Sequence, residues 1–566
     1  MFTTTVSGRD LEYLREKCYI YNPENTPSKL NILNNISKRR LNSASMILRY
    51  QDIMLFLAAY PDTKNIYEHA NNEIDRINRL SELRLYKAKQ NKQVSFAGSG
   101  LASSYFIGSF SHAMCKWLLD NFPESISFHS FGDSCNSTQE ILGMFLLPAE
   151  TALQENYGLS VKRWLEQAGA NKKDTDPLSW MLKTLGSQEI PGMLRDFIFD
   201  GLELYISFDI GKKNAQGLLR APCGGTYYHR DGILKKIDLT TVINKNIGKP
   251  LTLSKNQKSE YLRVARFALL HLSRETDPVS YCEEDGIEVY DLDRGFSIAL
   301  YYLPPERRNP VDAYVGYMIF KNRIPCGYGG AWLFGNKAKI GLNIFPAFRG
   351  GESAFLFSQI LRTYKKRFNL RYFEAEPYQI GLENPEGIKS GAFWFYYKLG
   401  FRPLQTDLYE LARQENDKLR LDPKHRTPYE KLKTLAHSMM FLDTLNPKQK
   451  TSQLIPDSIN ISKVITSLIH SNFEGDRMRA LNYFKKELNR KCGISSSIFK
   501  KQNEKSIFNS LAPFLYVLIM ESTINKKEKS ALVRLIKSKA EKTEYNYLKN
   551  ARTFQSRLQK AITKTK

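Results

Sequence analysis

"KAKIGLNIFPAFRGGESAFLFSQILRTYKKRFNLRYFEAE", Lys337–Glu376, changes its hydrophobic period twice. Ile340, Leu342 and Ile344 alternate, the pattern of a half-buried strand. From Ser353 onward Leu356/Phe357, Ile360/Leu361, Tyr364 and Phe368 recur at helical spacing, and "LRYFEAEPYQI" returns to strand. The spacing therefore predicts strand, loop, helix, strand, with "FRGGES" as the loop. A helix start presents unpaired N–H groups and a partial positive charge, a seat for an anion, and glycines let such an anion approach the backbone. Glu352 in this loop has two readings. Its carboxylate opposes a bound phosphate, or it favours the helix dipole in a turn that is merely tight.

Downstream, "ENPEGIKSGAFWFYYKLGFRP" (383–403) places six aromatic residues between Phe393 and Phe401. It reads as an aromatic core helix that Gly400 ends in a left-handed cap, with Phe401 starting a strand. Upstream, "KSEYLRVARFALLHLS" (258–273) has the spacing of a helix. "GIEVYDL", "GFSIALYYL", "DAYVGYMIF" and "GGAWLFG" follow it as strands separated by Gly/Pro-rich turns.

The order strand, Arg-Gly-Gly loop, helix, strand, aromatic helix, strand resembles the GNAT superfamily of N-acetyltransferases. That family opens its central helix with Gln/Arg-x-x-Gly-x-Gly/Ala and closes a later helix with Ala-x-x-Phe-Tyr-x-Lys-Leu-Gly-Phe. "AFWFYYKLGF" sets Ala392, Phe395, Tyr396, Lys398, Leu399, Gly400 and Phe401 on the second pattern. On the first, Arg349 and Ala354 match, while Glu352 stands where the family has glycine. The resemblance spans about 258–414. It implies an acyl-CoA co-substrate, acetyl-CoA first of all, held by Arg349, Gly350, Gly351, Ser353 and Ala354, with Asn384 as a further contact. It also implies Tyr396 as the acid that protonates the departing thiolate, a task a phenol of pKa near 10 suits.

A base for the attacking amine is sought on "YFEAE", where Glu374 and Glu376 lie two apart and face one side of a strand. Solvated side chains on an edge strand are the plainer reading of this pair. Asn343 faces away from the apolar side of its own strand. Cys223 and His229, six apart, have no visible orienting partner and read as a buried thiol and a turn histidine.

Composition limits the rest. At 566 residues, 42% hydrophobic and 25% charged, the chain is a multidomain globular protein. Seven scattered Cys without a Cys-x-x-Cys pair argue against a disulfide framework and a zinc ribbon, and no metal is expected. No apolar leader and no run near 20 apolar residues is visible, so no transmembrane segment and a cytoplasmic setting are expected. The formal charge is +25, and residues 521–566 hold thirteen Lys/Arg against four Asp/Glu, a basic tail suited to weak polyanion binding.

The expected organisation is α+β in four stretches. Residues 1–200 are mainly helical and 201–257 form a β-rich connecting segment. A GNAT-like domain with a mixed β-sheet flanked by helices covers 258–414, and a basic helical region 415–566. The expected function is acyl-CoA-dependent acyl transfer, acetyl above all, to an amine that the sequence does not identify. The alternative is a non-catalytic GNAT-like module that binds a ligand or partner.

Overall fold

The computed structural model describes residues 4–91, 98–102, 104–132, 138–153, 160–170, 176–187, 189–448, 457–520 and 523–564. The chain opens with three packed helices, α1 (Gly8–Cys18), α2 (Asn25–Ser37) and α3 (Ala44–Ala59). α3 is buried along most of its length, from Ile47 to Ala59. A small antiparallel sheet follows, β1 (Tyr105–Ser109), β2 (Ile126–Phe131) and β3 (Leu204–Asp209), in the order β1-β3-β2. Two of its strands interrupt the helices of the first 200 residues, and the sheet crosses the boundary expected at 200. The helix Pro177–Ser187 starts with the Asp176 carboxylate accepting from the N–H groups of Leu178 and Ser179 and runs through Gly186.

Residues 201–257 are not β-rich. They carry β3 alone, and "LLRAPCGGTYYHRDG" runs without a strand. Its backbone bonds to neighbouring regions instead. Ala221 N–H donates to the Arg323 carbonyl (2.7 Å), and His229 N–H donates to the Pro61 carbonyl (2.7 Å). This segment mortars the N-terminal helices to the second sheet.

The second sheet contains β4 (Ile287–Asp291), β5 (Phe296–Tyr302), β6 (Ala313–Lys321), β7 (Ile324–Phe334), β8 (Lys337–Ile340), β9 (Asn343–Ile344), β10 (Tyr372–Ala375), β11 (Arg402–Pro403) and β12 (Met440–Asp443). Its order is β11-β12-β10-β8-β7-β6-β5-β4, with β9 paired to β7. All pairs are antiparallel except β8–β10, which the central helix Ser353–Phe368 connects. β6 and β7 are joined by Asn322 and Arg323, both left-handed (φ 47° and 69°), the geometry of a tight hairpin turn. The fold is α+β, a mixed sheet flanked by helices.

Two expectations about this sheet are corrected. "KAKIGLNIF" is not one strand, because β8 stops at Ile340 and β9 resumes at Asn343. "TPYEKLKTLAHSMMFLDTL" is not one helix, because the chain is helical only over Tyr429–Leu435 and then forms β12. β12 inserts between β10 and β11, so the sheet extends past the boundary expected at 414. β10 is accordingly an interior strand with neighbours on both sides.

The paired residues Ala338, Phe373 and Leu333 share one face of the sheet, as do Ala313, Val315 and Tyr317 by alternation along β6. The central helix covers this face. Tyr364 stands 5.9 Å from the Tyr317 ring and donates its hydroxyl hydrogen to the Val315 carbonyl (2.8 Å). Lys337, Lys339 and Glu374 occupy the opposite face.

The basic C-terminal stretch is folded, not a solvated tail. Arg308 donates to the carbonyls of Lys539 (2.5 Å), Glu541 (2.6 Å) and Lys542 (3.0 Å). It thereby neutralises the end of the helix Lys526–Lys539. Lys539 is buried against Glu544, the Asp312 carbonyl (2.8 Å) and the face of Tyr547 (4.0 Å).

The aromatic helix spans Ala392–Lys398 and ends in a Schellman motif. Gly400 N–H donates to the Tyr397 carbonyl (3.0 Å) and Phe401 N–H to the Tyr396 carbonyl (3.2 Å), with Gly400 at φ 100°. A Cβ at Gly400 also meets Pro447 at 3.3 Å and Leu442 at 3.4 Å. Gly400→Ala should destabilise the protein by about 1–2 kcal/mol in thermal or denaturant unfolding. Gly186→Ala, in a helix with nothing within 4 Å of the added Cβ, should stabilise it by about 0.4–1 kcal/mol.

Candidate functional site

The loop that starts the central helix is built by three contacts. At Gly350 an added Cβ meets the Tyr19 ring at 2.3 Å, and at Gly351 it meets the Tyr60 ring at 2.5 Å. Both glycines therefore admit tyrosines that follow α1 and α3, a close approach that any side chain would prevent. Lys235 Nζ donates to the Gly350 carbonyl (2.6 Å).

The third contact is Glu352. It is the N-cap residue by position, but its side chain makes no capping hydrogen bond. The carboxylate is fully buried and turned inward. Oε1 accepts from Arg294 Nε (2.9 Å) and Leu234 N–H (2.9 Å) and lies 2.7 Å from Arg294 Nη2, and Oε2 lies 3.3 Å from Lys321 Nζ. The reading that this carboxylate opposes bound phosphates is corrected, because the buried Lys321, the half-buried Arg294 and a backbone N–H neutralise it.

Arg294 occupies a left-handed position (φ 60°) between β4 and β5, and Lys321 ends β6. Burial holds the Lys321 ammonium down at about 8, against the pull of Glu352 in the other direction. The ammonium also lies over the rings of Phe296 (4.4 Å), Tyr60 (5.0 Å) and Tyr227 (5.3 Å). Beside it, Asn322 receives the Tyr227 N–H (2.8 Å) and donates to the carbonyls of Tyr227 and Ala59 (both 3.0 Å). One junction thus links α3, the connecting segment, the β6–β7 hairpin and the central helix.

His229 completes it, its Nδ1 lying 3.0 Å from Arg294 Nη2 and 3.3 Å from the Gly232 carbonyl oxygen. Nε2 is buried without a partner. Burial first, and then the Lys321 charge, hold the imidazole down at about 2. Although Nδ1 stands 3.8 Å from Glu352, a neutral ring makes this contact no ion pair.

The other candidates separate into two groups. Tyr396 packs against Phe357 of the central helix (5.5 Å) and against Phe401 (5.3 Å). It is therefore on the central-helix face of the sheet. Burial pushes its hydroxyl well above the ordinary tyrosine range. Arg349 is exposed at the loop, with Ser353 and Ala354 half-buried at the helix start. Ser353 Oγ donates to the Arg349 carbonyl (3.3 Å).

Glu374 and Glu376 lie on the opposite face. Glu374 is paired with Lys337 (3.0 Å) and Glu376 with Lys339 (2.9 Å). Asn384 caps the short helix Pro385–Lys389, accepting from Gly387 N–H (3.1 Å) and donating to the Tyr378 carbonyl (3.1 Å). Asn343 is exposed on β9. Cys223 accepts from Gln257 (3.2 Å), away from the His229 cluster.

Between the two groups the sheet opens. β8 and β10 pair as far as Lys339 with Glu374, then part. Gln379 fills the opening, its Oε1 accepting from Leu342 N–H (3.3 Å). A cavity of about 270 Å³ abuts the loop, between α1, α3 and Pro346–Ala347, with Arg15, Arg49 and Asp52 in its wall. Among the described residues no group of three or more His, Cys, Asp or Glu is placed to hold a metal ion. None of the six described cysteines forms a disulfide, and Cys135 lies outside the described residues. No described helix is long and apolar enough to cross a membrane. No protein-family model, curated protein or solved structure matches this chain.

Sequence reasoning missed Arg294 and Lys321, and read His229 as a turn histidine only; it does begin a turn, its carbonyl accepting from Gly232 N–H (3.1 Å). One local signal exists, a lysine ending the apolar run "YVGYMIF", where a strand that is otherwise core needs a buried counter-ion.

The buried neutral imidazole makes a pH prediction. In the unfolded chain His229 takes up a proton below about 6.5, and in the folded protein it does not. Stability from this group is complete above that pH and falls as pH drops below it, by up to about 1.4 kcal/mol per unit. Burial also lowers His112 and His271 to about 4, so they act in the same direction. Denaturant unfolding of His229→Gln between pH 7 and 5 should show a shallower loss than the parent chain. An unchanged slope would remove His229 from this role.

Proposed function

We propose that this chain is an acyl-CoA-dependent N-acyltransferase, with acetyl-CoA as the first donor to test and an amine as acceptor. The observation that carries the reading is the N-terminus of the central helix. Because Glu352 is turned inward, its side chain does not cap this end of a 16-residue helix. The first N–H groups and the positive dipole end thus remain for an anion, beside the exposed Arg349. The strand–loop–helix–parallel-strand arrangement around them, and "AFWFYYKLGF" on the same face of the sheet, support the GNAT-like reading of the fold. The opening between β8 and β10 already holds a side-chain amide against a backbone N–H, so an amide-bearing arm of a donor meets matching partners there.

In this reading the amine nitrogen attacks the thioester carbonyl, the carbon–sulfur bond breaks, and Tyr396 gives its proton to the departing thiolate. Tyr396 is protonated at neutral pH, the form this role needs, although burial raises its hydroxyl and makes it a weaker acid than an exposed tyrosine. Glu374 and Glu376, each tied to a lysine on the other face, are not assigned as the base, and the amine loses its proton to solvent. A second reading, a non-catalytic ligand- or partner-binding protein, is favoured by the tyrosines seated on Gly350 and Gly351 and by the 3% exposure of Tyr396.

Acetyl-CoA should raise the melting temperature, since a ligand at a hundredfold excess over its Kd stabilises the folded state by about 2.7 kcal/mol. Tyr396→Phe should retain donor binding and lower turnover, including slow donor hydrolysis, by about 10²–10⁴-fold. Binding with no turnover in either protein would favour the second reading, and equal turnover in both would make Tyr396 a core residue only. No heat and no thermal shift with acetyl-CoA would contradict the first.

A further inference from the structure

Charge is divided unequally along the chain. Residues 457–566 hold twenty-three Lys/Arg against nine Asp/Glu, while the preceding 456 residues hold sixty against forty-nine. Several acids of the C-terminal unit are held in ion pairs within it, Glu487 with Arg490 (2.7 Å), Glu528 with Arg557 (2.8 Å) and Glu544 with Lys539. The helix Arg477–Cys492 carries six Lys/Arg against one Asp/Glu. Arg479, Tyr483, Lys486 and Arg490 fall at the spacings of one helical stripe and are all exposed, Tyr483 by 41%. The opposite side of this helix, with Ala480, Phe484 and Leu488, is buried. Tyr483 is braced by Phe473 (5.3 Å) and Tyr516 (5.9 Å), which fix its ring while leaving part of it open.

We infer that this stripe is a nucleic-acid-binding surface that takes a single-stranded phosphodiester chain. Arg479 and Lys486, which have no acid partner on this helix, span about 10 Å, room for successive phosphates, with Arg490, paired to Glu487, one turn further on. The exposed ring between them supplies a platform on which a base stacks without sequence preference. A membrane surface fits less well, because an interfacial helix needs an apolar face free to insert, and the apolar face of this helix is already buried in the unit. The binding surface is therefore a face of a folded unit, not the loose basic tail that composition suggests, and it is independent of the acyl-transfer reading.

The test uses the full chain and a fluorescein-labelled single-stranded oligonucleotide of about 20 nucleotides, followed by anisotropy at salt concentrations from about 50 to 200 mM. Arg479→Gln with Lys486→Gln, two exposed side chains, should weaken binding and reduce the slope of log K against log salt by about 1.4. Tyr483→Leu should weaken binding and leave that slope unchanged. Unaltered affinity and slope in the double variant would overturn the proposal. So would co-sedimentation of the parent chain with phosphatidylserine vesicles when the oligonucleotide does not bind.

Discussion

A carboxylate with no access to water, held between two cations at the start of a helix, is the constraint on which the rest of this structure depends. Removing a carboxylate from water is costly, and only close, well-oriented partners offset it. Glu352 has them in Arg294, Lys321 and the Leu234 N–H. Each partner comes from a different piece of chain: the β4–β5 turn, the end of β6 and the connecting segment. Because the carboxylate has to reach all three, the central helix can start in only one place and orientation. The same requirement seats Tyr19 and Tyr60 on the loop glycines and draws the N-terminal helices onto the sheet.

This arrangement separates two tasks that the loop sequence superimposes. Its glycines answer a packing demand from the tyrosines, and its glutamate answers an electrostatic demand from Lys321 and Arg294. The helix terminus is left without a side-chain cap as a consequence. An uncapped, partly open helix start is an anion site in the making, and the acyl-CoA reading rests on it. Tyr396 shares the central-helix face, whereas Glu374 and Glu376 lie across the sheet in lysine pairs. The resemblance implies the role of Tyr396, whereas the spacing of Glu374 and Glu376 leaves open whether their side of the strand meets a cleft.

What was legible in the sequence follows the range of each signal. The strands from Ile287 to Phe334, the helix over Ser353–Phe368 and the Gly400 cap announce themselves through local period and a left-handed residue. The break at Gly341 was not legible, since Ile340, Leu342 and Ile344 alternate straight through it and only the divergence from β10 ends the strand. β12 was hidden because four residues after a helical turn give no period, and its partners lie dozens of residues away. The Glu352 cluster was hidden for the same reason, its partners being 31, 58 and 118 residues distant. Tail charge is legible as an excess, while the buried partners of Lys539 and Arg308 are not, because composition does not reveal them.

A double-mutant cycle on Glu352 and Lys321 tests the central claim most directly. If the pair is the buried junction described, Glu352→Gln leaves two cations without their counter-ion and costs about 3–5 kcal/mol in denaturant unfolding. Adding Lys321→Met to that variant removes one of the stranded charges and should recover part of the loss, giving a coupling energy of about 1 kcal/mol or more. Effects that add within about 0.5 kcal/mol, or a Glu352→Gln chain as stable as its parent, would contradict the account and return Glu352 to the surface of the loop.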